Sequence, residues 1–156
     1  MYIFIRDLVE YEVFGNPIPS NMDTFKTFNI DKKLFIENDK PNIREITRVR
    51  IKVIVKEGNI VKTVKGISFE GKKFTGYKYA SNCEIKVRIE YIPDEKKGSL
   101  IAINDEIAAT TYIMLWDDFN ANNKLINNIF IEDCYIVPLN KRCLLLNLSC
   151  VSTLEK

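Results

Sequence analysis

Four cysteines, Cys83, Cys134, Cys143 and Cys150, are the residues best suited to chemistry in a chain of 156 residues that contains no histidine. Thiols can ligate zinc, form disulfides or act as nucleophiles. No C-x-x-C pair occurs, and without imidazole a structural zinc site needs all four thiolates to converge from three separate strands. If "PLNK" (138–141) is a hairpin loop with Val137 opposite Arg142, Cys134 lies opposite Leu145 and Cys143 is its diagonal neighbour on the same face. Diagonal Cα separations are about 7–8 Å, at or beyond a disulfide's span, so a 134–143 bridge is disfavoured. That register turns Cys150 to the other face. Two readings remain for the four cysteines: small buried apolar residues, or thiols that cross-link neighbouring subunits after assembly.

Carboxylates and amides form the second group. In "WDDFNANNK" (116–124), Asp118, Asn120 and Asn122 match the first ligands of a calcium loop, but Asn123 stands where glycine is needed and Ile129 where the bidentate glutamate belongs. The stretch reads as a connecting loop, because Asn and Asp bond local backbone in turns. Glu132 and Asp133 are adjacent in an extended run and leave it on opposite faces, so they cannot act as an acid and base on one substrate. Asp117 and Asp118 share a loop without a nucleophile beside them. No G-x-S-x-G and no glycine-rich phosphate loop is present, and the absence of histidine excludes imidazole-based triads. The expectation is a non-enzyme without cofactor or metal. Phe74, Tyr77 and Tyr79 in "FTGYKYAS" are the candidate ligand aromatics, since glycan-binding sandwiches stack sugars on such rings; strand core is the competing reading.

The elements that carry these residues follow from periodicity. From Cys83 to Tyr91 the odd positions (Cys83, Ile85, Val87, Ile89, Tyr91) are uncharged and largely apolar, while Glu84, Lys86, Arg88 and Glu90 are charged. A period of two is a half-buried strand. The same alternation places Val49, Ile51, Val53 and Val55 on one face, and Ile101, Ile103 and Ile107 on another. "NNIFIEDCYIVP" and "RCLLLNLSCV" are near-continuous apolar runs, as expected of strands covered on both faces. Turn signals fall at "EGN" (57–59), "EGKK" (70–73), "PDEKKG" (93–98), "NANN" (120–123) and "PLNK". The pattern predicts an all-β sandwich of about nine or ten mainly antiparallel strands.

Residues 1–23 are set apart as an N-terminal arm or strand, with residues 24–156 as the single domain. Tyr2, Phe4, Val9, Tyr11 and Val13 are the candidate assembly residues of that arm, which runs into Pro17 and Pro19; a short helix at 6–14 is the other local possibility. Charges are interspersed, 23 Lys plus Arg against 21 Asp plus Glu, so nucleic-acid binding is not expected. The apolar start ends at Arg6 and Asp7, too early for a signal-peptide core, and no run is long enough to span a bilayer.

From Phe25 onward the order of segments resembles the SPOCS domain, a family found in spore coat assembly proteins of endospore-forming clostridia. The resemblance covers residues 24–152 and is carried by K-P-x-I-x-x-I (Lys40, Pro41, Ile43, Ile46), the polar strand ending at Thr63, Gly71 and Gly76 around a hairpin, I-x-Y (Ile89, Tyr91), and the aromatic strand Tyr112, Ile113, Leu115, Trp116. Relatives often carry a histidine near "KKGSLIAIN", which is missing here. The resemblance implies no catalytic residues. It implies a structural β-domain made in the mother-cell cytosol and deposited on the spore coat or surface, forming a homo-oligomer or polymer and meeting other coat proteins. The alternative is a monomeric module that recognises a coat morphogenetic protein or a cell-wall glycan.

Overall fold

The computed structural model describes every residue except Asn21, Asp23, Lys97 and Lys156; the expected boundary at residue 23 and Lys97 of the 93–98 turn lie outside the described residues. Among the described residues there are eight strands and no helix: β1 (Tyr2–Arg6), β2 (Val9–Phe14), β3 (Phe25–Phe35), β4 (Ile43–Ile67), β5 (Lys73–Pro93), β6 (Ile101–Met114), β7 (Ile126–Asn140) and β8 (Cys143–Glu155). They form a five-stranded sheet, β1-β2-β4-β5-β6, and a three-stranded sheet, β3-β8-β7. Pairing is antiparallel except for β2, which runs parallel to β4.

The count falls below nine or ten because one expected break, at "EGN", is a bulge inside a long strand. At "EGN" the chain does not turn. Between Lys56 and Asn59 β4 gains one residue on β5, and a second shift follows between Lys62 and Lys65. A bulge absorbs an extra residue by bending the strand, which lets β4 continue for 25 residues. Gly58 is required there: a Cβ at this position would lie 2.3 Å from the Tyr79 ring and 2.6 Å from the Ala80 carbonyl oxygen.

The alternation in "CEIKVRIEY" places Cys83, Ile85, Val87, Ile89 and Tyr91 in the core between the sheets, together with Val49, Ile51, Ile103 and Ile107. Val53 is packed against the edge of that core. Val55 is exposed, although Cys83, opposite it on β5, is core. Leu144, Leu146, Leu148 and Cys150 face them from β8, the central strand of the smaller sheet. β7, by contrast, is an edge strand covered on one face. A second cluster of Ile113, Leu115 and Leu154 is closed by Tyr79, Trp116, Phe119 and Leu125.

Residues 2–14 are neither a free arm nor a helix. They fold as a hairpin within the five-stranded sheet, turning at Asp7 and Leu8 with φ of 51° and 65°. Tyr11 (1% exposed) and Val13 belong to the core, with Tyr2, Phe4 and Val9 packed on it. Burial of this apolar face against the domain's own core is what holds it in place. No helix of the described residues is long and apolar enough to cross a membrane.

Candidate functional site

The charged face of "CEIKVRIEY" lies on the outside of the five-stranded sheet, and its charges meet within the chain. Glu84 pairs with Lys56 at 3.2 Å, Lys86 with Glu106 at 3.7 Å, and Arg88 with Glu90 at 3.3 Å. Glu12 of β2 accepts a hydrogen bond from Arg50 Nε at 2.7 Å and faces Arg48 at 3.3 Å. The bond from Arg50 is the main reason its carboxyl is held below the usual carboxylate range. Cross-strand pairs of opposite sign hold the sheet's register. The face is a self-matched lattice of charges on strands whose other face is core.

The cysteines are all buried and free. The register of β7 and β8 differs from expectation: the turn is tighter, with Asn140 opposite Cys143, and one shift between Pro138 and Asn140 follows, which together put Cys134 opposite Leu148, not Leu145. Cys134 and Cys150 therefore share the core-facing side and Cys143 takes the other, the reverse of the sequence reading. Burial pushes the Cys150 thiol up to about 12 and raises those of Cys134 and Cys83. Burial of this kind makes Cys83, Cys134 and Cys150 weak nucleophiles in the folded domain. The described residues hold no group of three or more metal-ligating side chains.

The loop at 116–124 bonds to itself. Asn120 Oδ1 accepts from the Asn122 N–H at 3.1 Å, and Asn123 Oδ1 from the Asn120 N–H at 3.0 Å. Asp117 pairs with Lys73 at 3.0 Å. Asp133 meets Arg6 at 2.8 Å and caps the Cys134 N–H, and Glu132 is exposed. The expected opposite facing of the two does not hold, because the shift between Ile131 and Asp133 interrupts the alternation and leaves Ile131 and Cys134 both in the core. The three candidate aromatics do not make one platform: Tyr79 covers Gly58 and the second cluster, Tyr77 tilts against Phe119 at 5.8 Å, and Phe74 sits under the Lys78 ammonium.

The five candidate arm residues are used inside the domain. Phe4 and Tyr11 stack with centroids 5.0 Å apart, and Tyr11 Oη accepts the Ile136 N–H at 3.0 Å. Tyr2, whose hydroxyl is pushed up to about 12 mainly by burial, donates to the Ile131 carbonyl, and Arg6 donates to that of Cys134. These bonds guard the edge of β7. On the far side Lys32 donates to the Glu106 carbonyl at 3.4 Å and Lys40 to that of Ala102 at 3.3 Å, which guards the edge of β6. Beyond Lys52, β4 has β5 as its sole strand neighbour among the described residues, and its open edge carries both bulges together with Lys56, Lys62 and Lys65. Bulges and lysines blunt an edge against strand addition.

The far half of the β4–β5 hairpin is uncovered. Ile60, Val61, Val64, Ile67 and Phe69 are exposed, Phe69 to 112%. The tip holding Phe69 is ordered: Ser68 N–H donates to the Lys72 carbonyl at 2.8 Å, Gly71 N–H to that of Ser68 at 3.0 Å, and Lys72 N–H to Ser68 Oγ at 3.0 Å, with Gly71 at φ 79°. Sequence periodicity missed this surface because a projecting ribbon alternates like any half-buried strand. The misplaced turn at "EGN" hid the length that carries the ribbon beyond the sandwich. No protein-family model, no curated protein and no solved structure matches the chain.

Proposed function

We propose that this protein is a non-catalytic structural component of the endospore envelope or its surface structures, acting by self-association of its β-sandwich domain. The resemblance to the SPOCS domain supplies the setting: synthesis in the mother cell and deposition on the spore coat or surface. One observation carries the self-association: the exposed apolar side chains Ile60, Val61, Val64, Ile67 and Phe69 are concentrated on a two-stranded ribbon. An isolated two-stranded ribbon is marginally stable in water, and its apolar surface is stabilised when a further layer covers it. The inward residues of the N-terminal segment already serve the core, so its detachment as an arm is not part of this reading.

The test is negative-stain electron microscopy of the purified protein, with size-exclusion chromatography on the same samples, each with and without reductant. Fibres, ribbons or sheets indifferent to reductant are expected. A monomer under every condition would overturn the reading in favour of a module that recognises a coat morphogenetic protein or a cell-wall glycan.

A further inference from the structure

The end of the sandwich opposite the hairpin tip carries a cleft of about 590 Å³. Its floor is apolar, from Val9, Ile43, Ile46, Ile136, Val137 and Pro138, and its rim is charged, with Asp7, Glu45 and Asp94 against Arg44 and Lys141. This size lies within the range of pockets that enclose a ligand-sized group. The walls are braced. Lys141 pairs with Asp94 at 2.9 Å, and the Ile43 N–H donates to the Lys141 carbonyl at 2.9 Å. The Arg142 guanidinium donates to the carbonyls of Ile36, Glu37 and Lys40 and to Asn42 Oδ1, holding the segment that leads into β4.

Cleft and tip are two ends of one element. β4 begins in the cleft at Ile43 and ends beside the tip at Ile67, a run of 25 residues that places them at most roughly 80 Å apart. Their chemistry is complementary. The tip offers two apolar side chains, Ile67 and Phe69, with Lys65, Glu70 and Lys72 beside them. The cleft offers an apolar floor with Asp7, Arg44 and Glu45 on its rim, so that each side carries both signs, and none of these six charged groups forms an ion pair among the described residues. A rigid, fully exposed aromatic at a turn has the character of an interface anchor.

Resting on the self-association proposed above, we infer that the occupant of this cleft is the hairpin tip of a second copy, with Phe69 as the anchor. A tip at one end and its socket at the other make a heterologous contact, which builds an open filament or closes into a ring. Strand addition at the sheet edges is not needed, which fits the guarding of β6 and β7 and the bulges of β4.

The experiment is sedimentation velocity of the full chain and two variants over a concentration series. Phe69→Ser removes the anchor and leaves the cleft; Val137→Lys puts a charge in the cleft floor at a half-exposed position and leaves the tip. Each variant alone loses the concentration-dependent rise in sedimentation coefficient of the unmodified protein. An equimolar mixture of the two recovers a dimer and stops there, because the dimer has one spent tip and one blocked cleft. Unmodified protein that stays monomeric overturns the self-association reading itself. Self-association that survives Phe69→Ser or Val137→Lys, or variants whose mixture yields no dimer, overturns the tip-in-cleft contact and leaves self-association standing. If Val137→Lys lowers the thermal midpoint, Glu45→Lys on the exposed rim replaces it in every arm.

Discussion

Tyr11 separates two accounts of the N-terminal segment, because a detachable arm and an integral hairpin respond oppositely to its removal. Its side chain is 1% exposed, stacks on Phe4, and accepts the Ile136 N–H at 3.0 Å. Tyr11→Phe keeps the ring and strips the acceptor from a buried donor. Leaving a buried polar group unpaired costs about 1–3 kcal/mol, a fall in thermal midpoint of roughly 2–12 °C for a chain of this size. Tyr11→Ala also removes the ring from the core, and truncations of that kind cost about 3–5 kcal/mol. The assay is urea unfolding followed by tryptophan fluorescence and far-ultraviolet circular dichroism. Trp116 lies far from the hairpin in the fold, beside the second cluster, so coincident shifts by both probes report one cooperative unit. Expected are a lowered midpoint for Tyr11→Phe and a larger drop for Tyr11→Ala, with both probes moving together. A Tyr11→Ala midpoint within about 0.5 kcal/mol of the unmodified protein would refute the reasoning, since the hairpin would then contribute nothing to the folded unit.

Three further outcomes are expected. Leu8, 87% exposed, occupies the left-handed region at φ 65°. Leu8→Gly should raise stability by up to about 1 kcal/mol and Leu8→Val should lower it, since a two-residue hairpin turn of this kind favours glycine; a thermal midpoint that falls with glycine would contradict the turn geometry. Glu12 has its carboxyl depressed in the folded state, foremost by the bond from Arg50, so its contribution is present above the ordinary value of 4.5 and is lost as pH falls through the lower folded value. Urea midpoints taken from neutral pH down to about pH 3 should fall less steeply in Glu12→Gln than in the unmodified chain, and parallel curves would count against the pair. Finally, a coloured aromatic disulfide reagent should find no reactive thiol in the native protein and four after unfolding in urea; rapid native reaction of any cysteine would show that its burial is not maintained in solution.

Much of the fold was legible in the residues themselves. The alternation of "CEIKVRIEY" assigns the inward face of β5 without reference to any other strand, because side chains leave a strand on alternate sides. The Asn-rich loop at 116–124 followed from equally local rules. Glycine misled at position 58. It marks both turns and bulges, and the choice depended on Tyr79, a residue across the strand pair whose ring needs the space that a Cβ would fill.

Local pattern was therefore sufficient for an all-β chain, its core-facing residues on β5, β6 and the first part of β4, and its lack of imidazole chemistry. Register and partnership were not local. One shift in the β7–β8 ladder, between Pro138 and Asn140, put Cys150 rather than Cys143 on the face of Cys134, since a slip by one residue turns every later side chain over. The destination of Tyr2, Phe4, Val9, Tyr11 and Val13 was equally hidden: an apolar face needs burial, and its own sequence does not say against which surface. Tertiary structure settled that against their own core. It also brought Ile43 and Phe69 to opposite ends of one hairpin, a relation between distant side chains that no residue's chemistry contains.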